Sequence, residues 1–440
     1  MANIVEAIAE HDRDGRPAII GDLHTTSYQE LVELAGRLAG SLERRLDSDK
    51  DVCLVVSHPG LVESLALTLA GWSLGRRVAV LPPYLKEREL DHALAACSPT
   101  LMVSDSSMDV PDSIDFGTLV DAPPGRLGGA ASEARLQTFT SGTTGKPKCV
   151  DRPVSRLSDD IEQLVLATGI KPKDRVTAMT TALSTTSVLP ALCAGATVVT
   201  IPLTSPGQFW KSISGNSITV ISGTPYAYEL AARRKPDPAE VASVRLMLTT
   251  SARLRPVTAR KIMDDTGLPV RNILCSSESG HIAYNDSDDR ERLATSVGRP
   301  LPGVQVEIRG EDGSVLGARE AGRICVKSPY TAVQYRNNPD ETAAVFRDGW
   351  VVSTDVGYLD EEGYLYLTGR NDHKIHFGAA KLDPQEIEDV LLTHPAVDDA
   401  IVVGEDHDRL GQIPVARVVV SGLFAMNVGG QPRHVIEGDG

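Results

Sequence analysis

The sequence predicts an α/β protein: a large N-terminal domain of helix-covered sheets with a small β-barrel-like part, followed by a small α+β C-terminal domain. Three observations carry this expectation. Residues 52–105 alternate short apolar runs with helix-length segments, as a parallel sheet with crossover helices requires. Apolar strand-like runs return between residues 196 and 276. From Gly298 the texture changes to short strands separated by glycine turns, the pattern of antiparallel hairpins.

Taken in order, SYQELVELAGRLAGSL opens with a capping box, Ser27 and Glu30, and places Leu31, Leu34, Ala35, Leu38 and Leu42 on one helix face. VCLVVS, a helix over Leu61 to Leu74, VAVLP, a helix over Glu87 to Ala96, and LMVSD form the β-α-β-α-β series. The later strands are ATVVTIP, ITVIS, VRLMLTT and VRNILCS. VQVEIRGEDGSVLG, GRICVKS and GYLYLTGR supply the hairpins. Asp383 as cap and Pro384 at the first position start a helix with Ile387, Val390 and Leu391 on one side, and strands AIVVG and VARVVV follow. The last twenty residues have neither period and read as an irregular tail.

At 440 residues, with 41% hydrophobic and 23% charged residues, the chain is long enough for a sizeable core and about three domains. A net charge of -15 argues against nucleic acid or an anionic membrane as a partner. The six cysteines are scattered with no CxxC, so neither a zinc site nor a disulfide framework is indicated. The N-terminus has no basic segment followed by an apolar one, and the expected location is cytoplasmic. Val176 to Trp210 carries no charged residue, but eleven Ser or Thr and Pro190 interrupt it. It is expected to be a buried helix followed by the strand ATVVTIP rather than a membrane span.

The stretch TFTSGTTGKPKCV, residues 138–150, concentrates glycines, hydroxyls and two lysines with no acid. Small residues let backbone N–H groups approach oxygens, hydroxyls add donors, and lysine adds charge, so the composition suits a phosphate-binding turn. It is not a P-loop, because Pro147 follows Lys146 and Gly142 is only three positions before Gly145.

This loop, followed by ILCSSESG, SVGRPLPGV, the STD of Ser353 to Asp355, and LTGRNDHKIHFGAAKLDPQEIEDVL, resembles the adenylate-forming superfamily of acyl-CoA and aryl-CoA synthetases, peptide-synthetase adenylation domains and firefly-type luciferases. The resemblance spans Thr26 to Val420. It implies that Thr140, Ser141, Gly142, Thr143, Thr144 and Gly145 hold the β- and γ-phosphates of ATP, with Lys146 adding charge. It further implies that Ser277 meets the α-phosphate, Glu278 holds Mg2+, Asp355 accepts the ribose hydroxyls, and Arg370 lies near ribose and phosphate. Ser251, Ala252, Leu274 and Cys275 are matched to nucleotide-binding positions. Thr181, Ala182, Leu183, Ser279 and Gly280 are matched to the acyl pocket. Asp372 matches the hinge about which the small domain rotates between half-reactions, bringing Gly378 to Lys381 toward a thiol.

Several positions depart from the family pattern. Leu274 stands where an aromatic stacks on adenine, and Cys275 and Cys149 stand at glycine positions; small buried residues explain both thiols better than redox chemistry does. The resemblance divides the chain into an adenylation domain over residues 1–370, a truncated small domain over 371–420 and the tail over 421–440. The family's late Gly-Lys loop, whose lysine bridges carboxylate and α-phosphate, is not reached, and no lysine follows Lys381.

The implied reaction is attack of a carboxylate on the α-phosphorus of MgATP, release of pyrophosphate, and transfer of the acyl group to the thiol of CoA or a phosphopantetheinyl carrier protein. The resemblance implies that amino-acid-activating members meet the α-ammonium with an Asp near the segment matched by Thr181 to Ser184; because no acid lies between Val176 and Trp210, a neutral acyl or aryl acid is expected rather than an amino acid. The same motifs leave open a relative impaired in adenylation: one that binds AMP or an adenylate without catalysis, or one that takes the missing lysine from a partner.

Overall fold

The computed structural model describes residues 3–420 apart from 13–14, 23, 47–51, 83–84, 106–112, 122, 124, 126, 141–146, 180–182, 371–374, 378–379, 383, 395 and 408–410, with only the backbone described at 376, 380–381, 385–386, 398 and 411. Two units divide the chain: residues 1–305 with 326–351, and residues 306–325 with 352–440.

In the first unit the β-α-β-α-β series forms as expected. Strand Cys53–Ser57 pairs in parallel with Arg77–Val80 and Leu101–Ser104, and helices Leu61–Ser73 and Glu87–Cys97 make the crossovers. Cys53–Ser57 is buried throughout, which explains its continuous apolar run: a parallel strand covered on both faces has no solvent side to make polar. Among the described residues its sheet runs Gln334–Tyr335, Lys148–Pro153, Arg135–Thr140, Arg77–Val80, Cys53–Ser57, Leu101–Ser104 and Ile114–Asp115. Helix Tyr28–Glu43 begins at the expected capping box, Ser27 accepting from the Glu30 N–H and Glu30 from the Ser27 N–H. It buries Leu31, Ala35, Leu38 and Leu42 and leaves Leu34 half-buried.

A second sheet of the same unit runs Arg299–Pro300, Gly280–Tyr284, Val270–Ser276, Leu246–Thr249, Val220–Gly223, Arg175–Ala178, Thr197–Thr200, Pro17–Ile20 and Thr25–Ser27. Its centre is parallel: Val270–Ser276 on Leu246–Thr249, that strand on Val220–Gly223, and that strand on Arg175–Ala178. Helices Pro206–Gly215, Pro225–Ala232 and Pro256–Thr266 bury Phe209, Trp210, Tyr228, Ile262 and Met263 in one core with Met247 and Val270 of the sheet. The buried Trp210 indole N–H donates to the carbonyls of Ala231 and Arg234 at 3.2 Å, so its burial leaves no donor unpaired. The charge-free segment holds helix Val188–Cys193, buried at every position, and strand Thr197–Thr200. No helix of the described residues is long and apolar enough to cross a membrane.

Strands Gln305–Arg309, Gly322–Lys327 and Trp350–Leu359, most of whose residues belong to the second unit, lie side by side, and Leu365–Arg370 is antiparallel to the last. Helix Pro384–Leu391 precedes a long antiparallel hairpin, Val397–His407 with Gly411–Val420. Glu388 accepts from the Val402 N–H at 2.8 Å. Val390, at the edge of the expected apolar stripe, is 69% exposed, while Ile387 and Leu391 are half-buried. The capping residue Asp383 and the tail 421–440 lie outside the described residues.

Candidate active site

The site in the first unit follows from sheet direction. Ligands of open parallel sheets bind beyond the carboxyl ends of the strands. Four consecutive strands, Arg175–Ala178, Val220–Gly223, Leu246–Thr249 and Val270–Ser276, lead there to the segment around Leu183 that was matched to an acyl pocket, then Thr224, then Ser251 and Ala252, then Ser277 and Glu278. Residues separated by almost a hundred positions are thus set at one sheet end. Ser251 is exposed and has φ 79°, a left-handed conformation a non-glycine residue holds only where its surroundings enforce it. Thr181 and Ala182 lie outside the described residues, whereas Leu183 is half-buried.

Ser276 to Gly280 form the tight reversal between Val270–Ser276 and Gly280–Tyr284. The Ser276 hydroxyl accepts from the Ser279 N–H at 2.9 Å, and Ser279 is buried while Ser277 and Glu278 remain half-buried. Gly280 has φ 79°, and a Cβ there would collide with the Arg152 guanidinium and the Asp160 carboxylate. Both conformation and space therefore demand glycine.

Glu278 is held from a distance. The Tyr335 hydroxyl donates to Glu278 Oε1 at 2.8 Å, and the Ala332 N–H donates to the Glu278 carbonyl at 2.7 Å. Tyr335 lies on the strand paired to Lys148–Pro153, opposite Val150. Burial first, and then the neighbouring Glu278 carboxylate, push its phenol above the ordinary value. Lys148 sits 5.2 Å over the Tyr335 ring and pairs with Glu341 at 2.7 Å. It is also the partner of Thr140 in the hairpin that carries the Ser/Thr/Gly loop. A chain of contacts therefore joins Glu278 to the base of that loop. Ser141, Gly142, Thr143, Thr144, Gly145 and Lys146 themselves lie outside the described residues.

The two thiols at glycine positions are structural. Cys149 packs with Cys53, Val55 and Cys97; burial first, then Cys53 and Asp151, push its pKa up to about 12. Burial also raises the Cys275 thiol, against hydrogen bonds with Thr250 and Thr186. Neither is poised as a thiolate. Leu274, half-buried, is paired with Ala283.

In the second unit, Asp355 and Arg370 face each other across adjacent strands. Arg370 Nε is 3.7 Å from Asp355 Oδ1, its Nη2 donates to the Thr354 hydroxyl at 2.7 Å, and Ser353 donates to Asp355 Oδ2 at 3.1 Å. Asp372 lies outside the described residues.

Sequence reasoning missed Tyr335, Lys148 and Glu341. Lys148 is the second lysine of the loop stretch 138–150 but was given no role, and no local motif marks Tyr335 or Glu341, because their part is set by contacts across 57 positions or more.

Comparison with known proteins gives the family. The family model of the AMP-binding enzyme matches residues 5–336, and that of the AMP-binding enzyme C-terminal domain matches residues 386–436. The chain is 30% identical to the indoleacetate–CoA ligase of Aromatoleum aromaticum over 92% of this chain and 85% of that one. It superposes on o-succinylbenzoate CoA synthetase from Bacillus subtilis, in complex with its acyl-adenylate intermediate, with a TM-score of 0.83 at 26% identity, covering 96% of this chain and 89% of that one. ATP-bound MatB from Rhodopseudomonas palustris gives a TM-score of 0.84 at 25% identity, with the same coverage of 96% and 89%. The chain therefore belongs to the AMP-binding enzyme family, the adenylate-forming enzymes that its motifs resemble.

Proposed function

We propose that the protein activates a neutral acyl or aryl carboxylic acid with ATP, releases pyrophosphate, and transfers the acyl group from the adenylate to the thiol of CoA or of a phosphopantetheinyl carrier protein. The observation that carries this reading is the convergence of the acyl-pocket segment, Ser251 and Glu278 at the carboxyl ends of four neighbouring parallel strands. The substrate class rests on the absence of any charged residue between Val176 and Trp210, since an unpaired buried ammonium costs several kcal/mol. Indoleacetate, the acid in the name of one relative, is of this class.

The carboxylate is already a nucleophile, so the protein's task is alignment and charge neutralisation rather than base catalysis. The amides and hydroxyls from Thr140 to Gly145 and the ammonium of Lys146 hold the departing pyrophosphate, and Ser277 holds the α-phosphate. Asp355 takes the ribose hydroxyls, and Arg370 assists there. Among the described residues no cluster of three or more metal-binding side chains occurs, and Glu278 offers one carboxylate with Tyr335 on one of its oxygens. That donor set fits Mg2+, which takes one or two carboxylates and completes its shell with phosphate oxygens and water. Bound at Glu278, the ion supplies charge to the phosphates. Residues 1–370 carry adenylation, and residues 371–420, turning about Asp372, serve the thiol step.

Pyrophosphate release measured over a panel of carboxylates, with an amino acid included, tests the proposal. Release driven by an apolar or aryl acid and not by the amino acid is the expected result; a preference for the amino acid refutes the substrate class, and no release with any acid refutes the activity.

A further inference from the structure

Four buried side chains outside the nucleotide and metal positions form one hydrogen-bonded line through the first unit. Arg152 donates through Nη2 to Asp160 Oδ2 at 2.5 Å and through Nε to the Tyr330 carbonyl at 3.0 Å. Asp160 Oδ2 meets His281 Nδ1 at 2.9 Å, and its Oδ1 accepts from the His281 backbone N–H at 3.0 Å. His281 Nε2 lies 3.3 Å from the Thr186 hydroxyl. Exposure is 5% for Arg152, 0% for Asp160, 1% for His281 and 5% for Thr186, so each of these contacts is made without water competing for it. The line crosses strand Lys148–Pro153, helix Val154–Thr168, strand Gly280–Tyr284 and the turn that enters helix Val188–Cys193.

The chemistry of the partners sets its direction. An ionised carboxylate only accepts, so His281 donates from Nδ1, and the ring's other nitrogen meets the Thr186 hydroxyl. Arg152 already balances the charge of Asp160. The carboxylate therefore orients the ring, and Thr186, buried, is not placed as a nucleophile.

Two members of the line, Thr186 and His281, lie beside segments matched to the acyl pocket. Thr186 follows Leu183 by three residues, and its turn is tied by the Ser184 hydroxyl, which accepts from the N–H groups of Thr186 at 3.3 Å and Ser187 at 3.0 Å. His281 directly follows Gly280, whose missing side chain leaves room for the Arg152–Asp160 pair. We infer that His281, oriented by Asp160 and Arg152, is a positioning residue that holds Thr186 and so sets which carboxylic acid the pocket accepts. This inference rests on the adenylation reading above.

The test uses the full chain and pyrophosphate release with MgATP and acetate, hexanoate, benzoate or indoleacetate as the acid. Thr186→Val should raise the KM for the preferred acid about ten-fold and leave the KM for ATP within about two-fold, because only a contact on the acid side is lost. Thr186→Ser, which keeps the hydroxyl, should restore the KM for the acid to within about three-fold of the parent. His281→Ala should shift the ranking of the four acids in the same direction as Thr186→Val, and the double variant should fall short of the summed effects of the two single variants, since they share one contact. Equal changes in the two KM values, failure of Thr186→Ser to restore the acid KM, or additive losses in the double variant overturn the inference while the parent's activity still supports adenylation. A parent chain that releases no pyrophosphate with any of the four acids overturns the adenylation reading, and the pocket role falls with it.

Discussion

At the scale of single residues, the geometry makes Glu278 the most consequential carboxylate of the first unit. Its neighbours are neutral donors rather than cations: the Tyr335 hydroxyl on Oε1 and the Ala332 amide on its carbonyl. Glu278→Gln removes a hard anionic ligand without changing shape, and should lower Mg2+-dependent pyrophosphate release by about a hundred-fold or more while leaving the thermal unfolding midpoint near that of the parent. Tyr335→Phe removes only the hydrogen bond that aims the carboxylate. It should raise the Mg2+ concentration for half-maximal rate by roughly five-fold, the equivalent of about 1 kcal/mol. A Mg2+ titration of both variants reads the two effects, and an unchanged titration for Tyr335→Phe removes the tyrosine from the site.

At the scale of elements, helix Val154–Thr168 is locked to strand Gly280–Tyr284 by one buried carboxylate. Burial pushes the Asp160 pKa upward, but the charges of His281 and Arg152 and the hydrogen bonds they make outweigh it and hold the group at about 2. An unfolded Asp titrates near 3.9, so the lowered folded value contributes stability above that pH and loses it as the pH falls toward about 2. Urea unfolding midpoints should therefore drop between about pH 4 and pH 2. Asp160→Asn should flatten that acid limb. At pH 7 the same variant should cost about 3 to 5 kcal/mol, because Arg152 is left as an unpaired buried charge. An unchanged acid limb in the variant would assign the pH dependence to other carboxylates.

At the scale of the whole molecule, the proposed reaction has two half-reactions that use different parts of the chain. The residues matched to pyrophosphate departure and to Mg2+ lie before residue 279, while the proposed hinge and the segment matched to the thiol step lie beyond residue 370. Asp372→Pro fixes φ at the hinge. It should slow thioester formation from a preformed acyl-adenylate by at least about ten-fold while changing pyrophosphate release from ATP and free acid far less. Single-turnover assays of each half-reaction separate the two; equal slowing of both would remove the hinge role from Asp372.

The sequence by itself determined the alternation of strand and helix from Cys53 to Ser104, the capping box at Ser27, and the family to which the chain belongs. These signals are local: burial on both faces makes a parallel strand continuously apolar, and a cap or a phosphate-binding turn is written within a few consecutive residues. The candidates Ser277, Glu278 and Asp355 could be proposed for the same reason, each sitting in a short motif. Only the tertiary structure decided what holds them. Tyr335 reaches Glu278 because its short strand pairs with Lys148–Pro153, and His281 meets Asp160 from 121 positions away. Contacts of that kind leave no periodicity and no spacing in the chain, because strand order and register, rather than neighbouring residues, choose the partners.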